Sequence, residues 1–91
     1  MTIKELETEL DGTYYAPSIV RSTPASFIDD RMHGLSPEEL EKLRAYDSDK
    51  VLYFGGLWQP GGQDFSGWVW AQTADALAEI LRGEAKRLRL I

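Results

Sequence analysis

The chain has 91 residues, 43% of them hydrophobic and 27% charged, with a net charge of −5 and no cysteine. That length makes one domain spanning residues 1–91, able to bury roughly 60–65% of its unfolded surface and too small for a deep enclosed substrate cavity. The missing cysteine excludes disulfides, thiolate nucleophiles and cysteine-ligated metals, and no apolar run approaches the ~20 residues of a membrane span.

Thr2-Ile3-Lys4-Glu5 fits a capping box, and Ile3, Leu6 and Leu10 follow at helical spacing, predicting a first helix over about 3–10 that stops at Gly12. Thr13 to Val20 is rich in strand-formers but carries Pro17, which predicts an edge strand or an extended segment ending near Ala16. Ser22-Thr23-Pro24 supplies a cap and a proline for a short second helix, its buried side made by Phe27, Ile28 and Met32 and its end at Gly34. Ser36-Pro37-Glu38-Glu39 is the clearest start signal, opening a helix over about 37–46 that turns Leu40, Leu43 and Tyr46 inward. Asp47-Ser48-Asp49 then forms a turn.

The most informative stretch runs from Val51 to Gln72. It holds all three tryptophans, five of the eight glycines and no basic residue. Val51–Phe54 and Gly67–Ala71 read as two strands of a hairpin, in which Trp68 and Trp70 point one way and Val69 and Ala71 the other. The residues between them are too many for a tight turn, so a wide loop carrying Leu57, Trp58 and Phe65 is expected. Thr73 caps a last helix whose apolar stripe is Leu77, Ile80 and Leu81. Gly83 reads in two ways: as a helix-interior residue, since Leu81 and Leu88 keep helical phase across it, or as the stop, releasing Lys86-Arg87-Leu88-Arg89-Leu90 as an edge strand, the reading favoured here. The fold class is α+β: an antiparallel sheet centred on the hairpin about 51–71, with three to four short helices packed on one face.

Three motifs resemble chemistry and stop short of it. His33, the one histidine, follows Asp29 and Asp30 at helical spacing, but no nucleophile or further ligand accompanies it. Asp47-Ser48-Asp49 opens like a calcium loop, yet Leu52 and Trp58 stand where an EF-hand requires glycine and glutamate. The Gly55-Gly56 and Pro60-Gly61-Gly62 pairs lack the lysine of a phosphate loop. No catalytic set, cofactor or metal is therefore expected.

The binding candidates are aromatic and acidic. Trp58, framed by Gly55, Gly56, Gly61 and Gly62, has the profile of an exposed interface anchor, with Leu57, Gln59 and Phe65 beside it. Glu5, Glu7, Glu9 and Asp11 lie on the first helix and Glu38, Glu39 and Glu41 on the third; on one side of the fold they would make a single negative patch. An acidic body repels phosphates, so nucleic acid is disfavoured, and steers toward a basic protein surface. The expectation is a cytoplasmic, non-enzymatic module that occludes a basic surface of a larger partner, in the physical class of small inhibitors, immunity proteins and phage-encoded anti-defence proteins. A homodimer is compatible with the same features. The alternative is a small-molecule or accessory domain, its ligand lined by Tyr14, Tyr15, Trp68, Trp70 and His33. A third reading is nucleic-acid contact through the basic strip Arg82, Lys86, Arg87 and Arg89.

Overall fold

Every helix begins at a side chain able to accept from its first turn. A computed structural model describes residues 1–31, 35–62 and 64–91, so the reading of Met32, His33 and Gly34 lies outside the described residues. Thr2 Oγ1 accepts from the Glu5 amide at 3.1 Å while the Glu5 carboxylate accepts from the Thr2 amide at 2.9 Å, the reciprocal capping box that opens α1 (Ile3–Glu9). Thr23 Oγ1 accepts from Ser26 N at 3.3 Å at the start of α2 (Pro24–Arg31). Ser36 does the same for α3 (Pro37–Arg44), and Thr73 for α4 (Ala74–Arg87).

The sheet has three antiparallel strands in the order β1 (Ala16–Ser22), β2 (Leu52–Trp58), β3 (Val69–Ala71). β1 starts at Ala16, where the sequence suggests that it ends, because Pro17 falls at a harmless place. Its partner Leu57 spends its N–H on Ser66 Oγ and its carbonyl on Ser66 N, both at 2.8 Å and both away from β1. Pro17 thus sits in a non-hydrogen-bonded pair on an edge strand, and its missing N–H breaks no ladder bond.

Alternation along the strands sends neighbouring side chains to opposite faces, and both faces are covered. Tyr53, Leu57, Val69 and Ala71 join Leu6 and Leu10 of α1 and Leu77, Ala78, Leu81 and Ala85 of α4 in one cluster. Leu52, Phe54, Trp68 and Trp70 join Phe27 of α2 and Leu43 of α3 in the other. The four helices accompany an antiparallel sheet in an α+β fold, but divided between its two faces rather than gathered on one. A sheet apolar on both sides needs two covering layers. The Cα radius of gyration of 12.9 Å is close to the ~12 Å of one compact domain of this length.

α4 corrects the reading of Gly83. The helix runs through it to Arg87, because Ala85, on the turn beyond, is fully buried and packs into the core. The stop lies at Arg89, left-handed at φ 61, with Leu90 N bonded to Ala85 O and Arg89 N to Lys86 O, a Schellman closure built on arginine instead of glycine. The predicted edge strand over 86–90 is not formed. Ile80, assigned to the apolar stripe, is 42% exposed, and Ala78 and Ala85 take its place.

Candidate functional site

The hairpin is closed by a tight turn at Gln59-Pro60-Gly61-Gly62. Gly62 N bonds Gln59 O at 2.9 Å and Gly61 has φ +79, the type II arrangement that proline then glycine favours. β2 therefore extends through Gly55 and Gly56 to Trp58, and Leu57 is part of it rather than of a wide loop. On the return, Trp58 bridges Phe65 while Gly55 pairs with Val69. Two residues separate Gly55 from Trp58, but three separate Phe65 from Val69, so the returning strand carries one extra residue. The bulge lies at Ser66–Trp68, where Gly67 adopts φ +95.

That extra residue decides which way the aromatics face. Without it Phe65 and Trp68 would project to opposite faces; with it Phe65, Trp68 and Trp70 all share the face of Trp58. A row of rings results. Phe54 stacks on Phe27 with centroids 3.9 Å apart, Phe27 meets the edge of Trp68 at 5.3 Å, and Trp68 meets Phe65 at 5.1 Å. Phe65 lies over Gly56, its ring 2.6 Å from where a β-carbon would stand, so only glycine allows the seat. The row begins in the core and ends at the surface, with Trp58 42% and Phe65 41% exposed.

Two grooves flank this end of the sheet. One, of about 310 Å³, is lined by Ser18, Trp58, Gly62, Asp64, Phe65 and Trp68. The other, about 550 Å³, runs along the N-terminal end of β1, where Tyr14, Tyr15, Pro17 and Pro60 form the walls and Glu7 and Asp11 the rim. Tyr15 Oη donates to Asp64 Oδ2 at 3.2 Å and ties the two together. Partial burial, reinforced by the Asp64 carboxylate, raises the Tyr15 phenol above its ordinary value. Tyr14 stands 81% exposed with its backbone left-handed at φ 67. Among the described residues, neither groove has a basic residue in its lining.

The candidates named from sequence separate into three groups. Trp58 and Phe65 are brought together at the surface, with half-buried Gln59 folded against Gly62 in the turn. Leu57 is fully buried beneath α4 and offers nothing to a partner. Glu38 and Glu41 border a shallow depression with Lys42 and Ala45, while Glu39 pairs with Lys42 at 3.9 Å; none of the three lines a groove with Trp58. The single negative patch is not assembled, because α1 packs on one face of the sheet and α3 on the other.

The small-molecule set is also divided: Tyr15 packs on the α1–α4 side, Trp68 and Trp70 on the other, and His33 lies outside the described residues. In the basic strip, Arg82 is bonded to Glu9 at 3.0 Å and Arg87 to Glu84. Among the described residues no three acidic or histidine side chains gather to hold a metal, and no helix is long and apolar enough to cross a membrane. Sequence reasoning missed Asp64 beside the aromatic pair, and missed Glu7 and Asp11 as the acidic residues of the groove that Tyr14 and Tyr15 line. Gly67 between Ser66 and Trp68 was the available signal for the bulge. Compared with protein-family models, curated proteins and solved structures, the chain matches none.

Proposed function

We propose that this protein is a non-enzymatic binding module that occludes a basic surface of a larger protein, docking through the aromatic end of its sheet. The observation that carries the reading is the pair Trp58 and Phe65, over 40% exposed yet held side by side by a ladder bridge and backed by a row of packed rings. Rigid, partly exposed aromatics lose little entropy on binding and supply the largest share of interface energy. Asp64 in the same groove, and Glu7 and Asp11 in the groove on the α1–α4 side, suit a cationic partner, through charge and through cation–π contact with Tyr14 and Trp58.

Affinity capture from host lysate with the wild type, Trp58→Ala and Phe65→Ala tests the reading. One protein retained by the wild type and weakened by about 30-fold or more with either variant is expected, since an anchor of this kind contributes about 2 kcal/mol or more. Equal capture by all three overturns it. Once a partner is in hand, Glu7→Lys with Asp11→Lys is expected to slow association at low salt more than Glu38→Lys with Glu41→Lys, because charges bordering the dock dominate steering.

A further inference from the structure

We propose that the open edge of β1 is where the partner engages, by adding an extended segment of alternating basic and apolar side chains as a fourth strand; this rests on the docking function just stated. β1 ends the strand order, and its backbone phase is fixed by Leu57, which turns both its polar groups toward Ser66. Pro17, Ile19 and Arg21 share the phase of that pair. The amides of Ile19 and Arg21 and the carbonyls of all three therefore point away from β2, to the open side. An unpaired edge of this kind is a template for another strand.

What surrounds the edge specifies the occupant. The side chains of an added strand alternate between the two faces, and each face presents a groove touching β1: Ala16 and Pro17 line the first, Ser18 the second. On the α1–α4 side Glu7 and Asp11 have no ion-pair partner among the described residues, and Tyr14 and Tyr15 offer ring faces. They also lie at the end of α1, whose last turn holds no basic residue to offset the helix dipole. That side suits a guanidinium or ammonium group. On the other side Trp58, Phe65 and Trp68 suit an apolar side chain. A second copy of this chain fits less well: it brings a net charge of −5 and the same acidic groove.

The test is amide hydrogen exchange by NMR with a capped octapeptide alternating arginine and valine, at millimolar concentration. An alternating glutamate–valine peptide is the control. Slowing of exchange at Ile19 and Arg21 by about tenfold or more with the basic peptide alone is expected. Glu7→Gln with Asp11→Asn should then weaken its binding about three- to tenfold. Binding that shifts the groove residues but leaves Ile19 and Arg21 exchanging freely overturns strand addition, as does absence of binding or equal protection by the acidic peptide. Protection that grows with protein concentration in the absence of peptide assigns the edge to a second copy and overturns the proposal too. None of these outcomes touches the docking reading, which stands or falls on Trp58→Ala and Phe65→Ala.

Discussion

The two faces of the sheet are built from different side chains and end differently. The α1–α4 face is aliphatic, with Leu6, Leu10, Leu57, Leu77 and Leu81 fully buried along a helix of fourteen residues. The α2–α3 face is aromatic, covered by two helices of eight residues, and its rings continue past the helices to the surface. Leucines at this burial serve the core and nothing else. Rings that start in the core and finish exposed connect stability with recognition, because the packed end holds the exposed end in place. Gly55 and Gly56 mark the division, one under Ile19 and Leu77, the next under Phe65.

The sharpest way to break this contrast is to truncate one residue on each side. Leu81→Ala should cost about 2–5 kcal/mol in urea unfolding, as a fully buried leucine does. Trp58→Ala should cost no more than about 1 kcal/mol. Equal costs would mean that Trp58 is core and that the faces do not differ in role. Gly67→Ala comes next. Nothing crowds a β-carbon there, so its cost is backbone strain at φ +95, about 1–3 kcal/mol. Loss of the Trp58–Phe65 contact without loss of the α4 core is the expected signature in NMR spectra.

Gly83→Ala sharpens the aliphatic side: the helix passes through Gly83 with open space around it, so alanine should stabilise by about 1 kcal/mol. A destabilising result would return Gly83 to a helix stop. On the other side, Tyr14→Asn should relieve left-handed strain worth roughly 1 kcal/mol while weakening partner binding. A gain in stability with a loss in binding would identify Tyr14 as a residue kept for recognition.

Much of the fold was legible because its signals are local. Thr2, Thr23, Ser36 and Thr73 each need only residues three positions away. The alternation of Trp68 and Trp70 against Val69 and Ala71 was readable too. Three features were not, each because it depends on distant residues. Gly83 looks like a stop until Ala85 is seen packed in the core. Pro17 looks like a strand breaker until Leu57 is seen facing the other way. The division of helices between faces follows from β2 being apolar on both sides, which glycines at 55 and 56 disguise. At the site, Trp58 was readable as an exposed anchor with Phe65 beside it, whereas Glu7 and Asp11 come from α1 and the loop before β1, linked to the pair by no sequence pattern.

The smallest predicted effect probes the joint between the two grooves. Tyr15 donates to Asp64, and its phenol is raised above the ordinary value of 10.0 first by burial and then by that carboxylate. Asp64→Asn should lower the Tyr15 pKa without restoring it fully, because burial remains; an alkaline absorbance titration of the tyrosines reads the change. A raised phenol pKa favours the fold while both states are protonated, and that contribution is lost as pH climbs from the unfolded value through the folded one. In the Asn variant the two values lie closer, so the alkaline decline in stability attributable to Tyr15 should be smaller. An unchanged Tyr15 titration would mean that the hydrogen bond does not persist in solution. The grooves would then be independent of each other, and Asp64 would be left as charge alone beside Trp58.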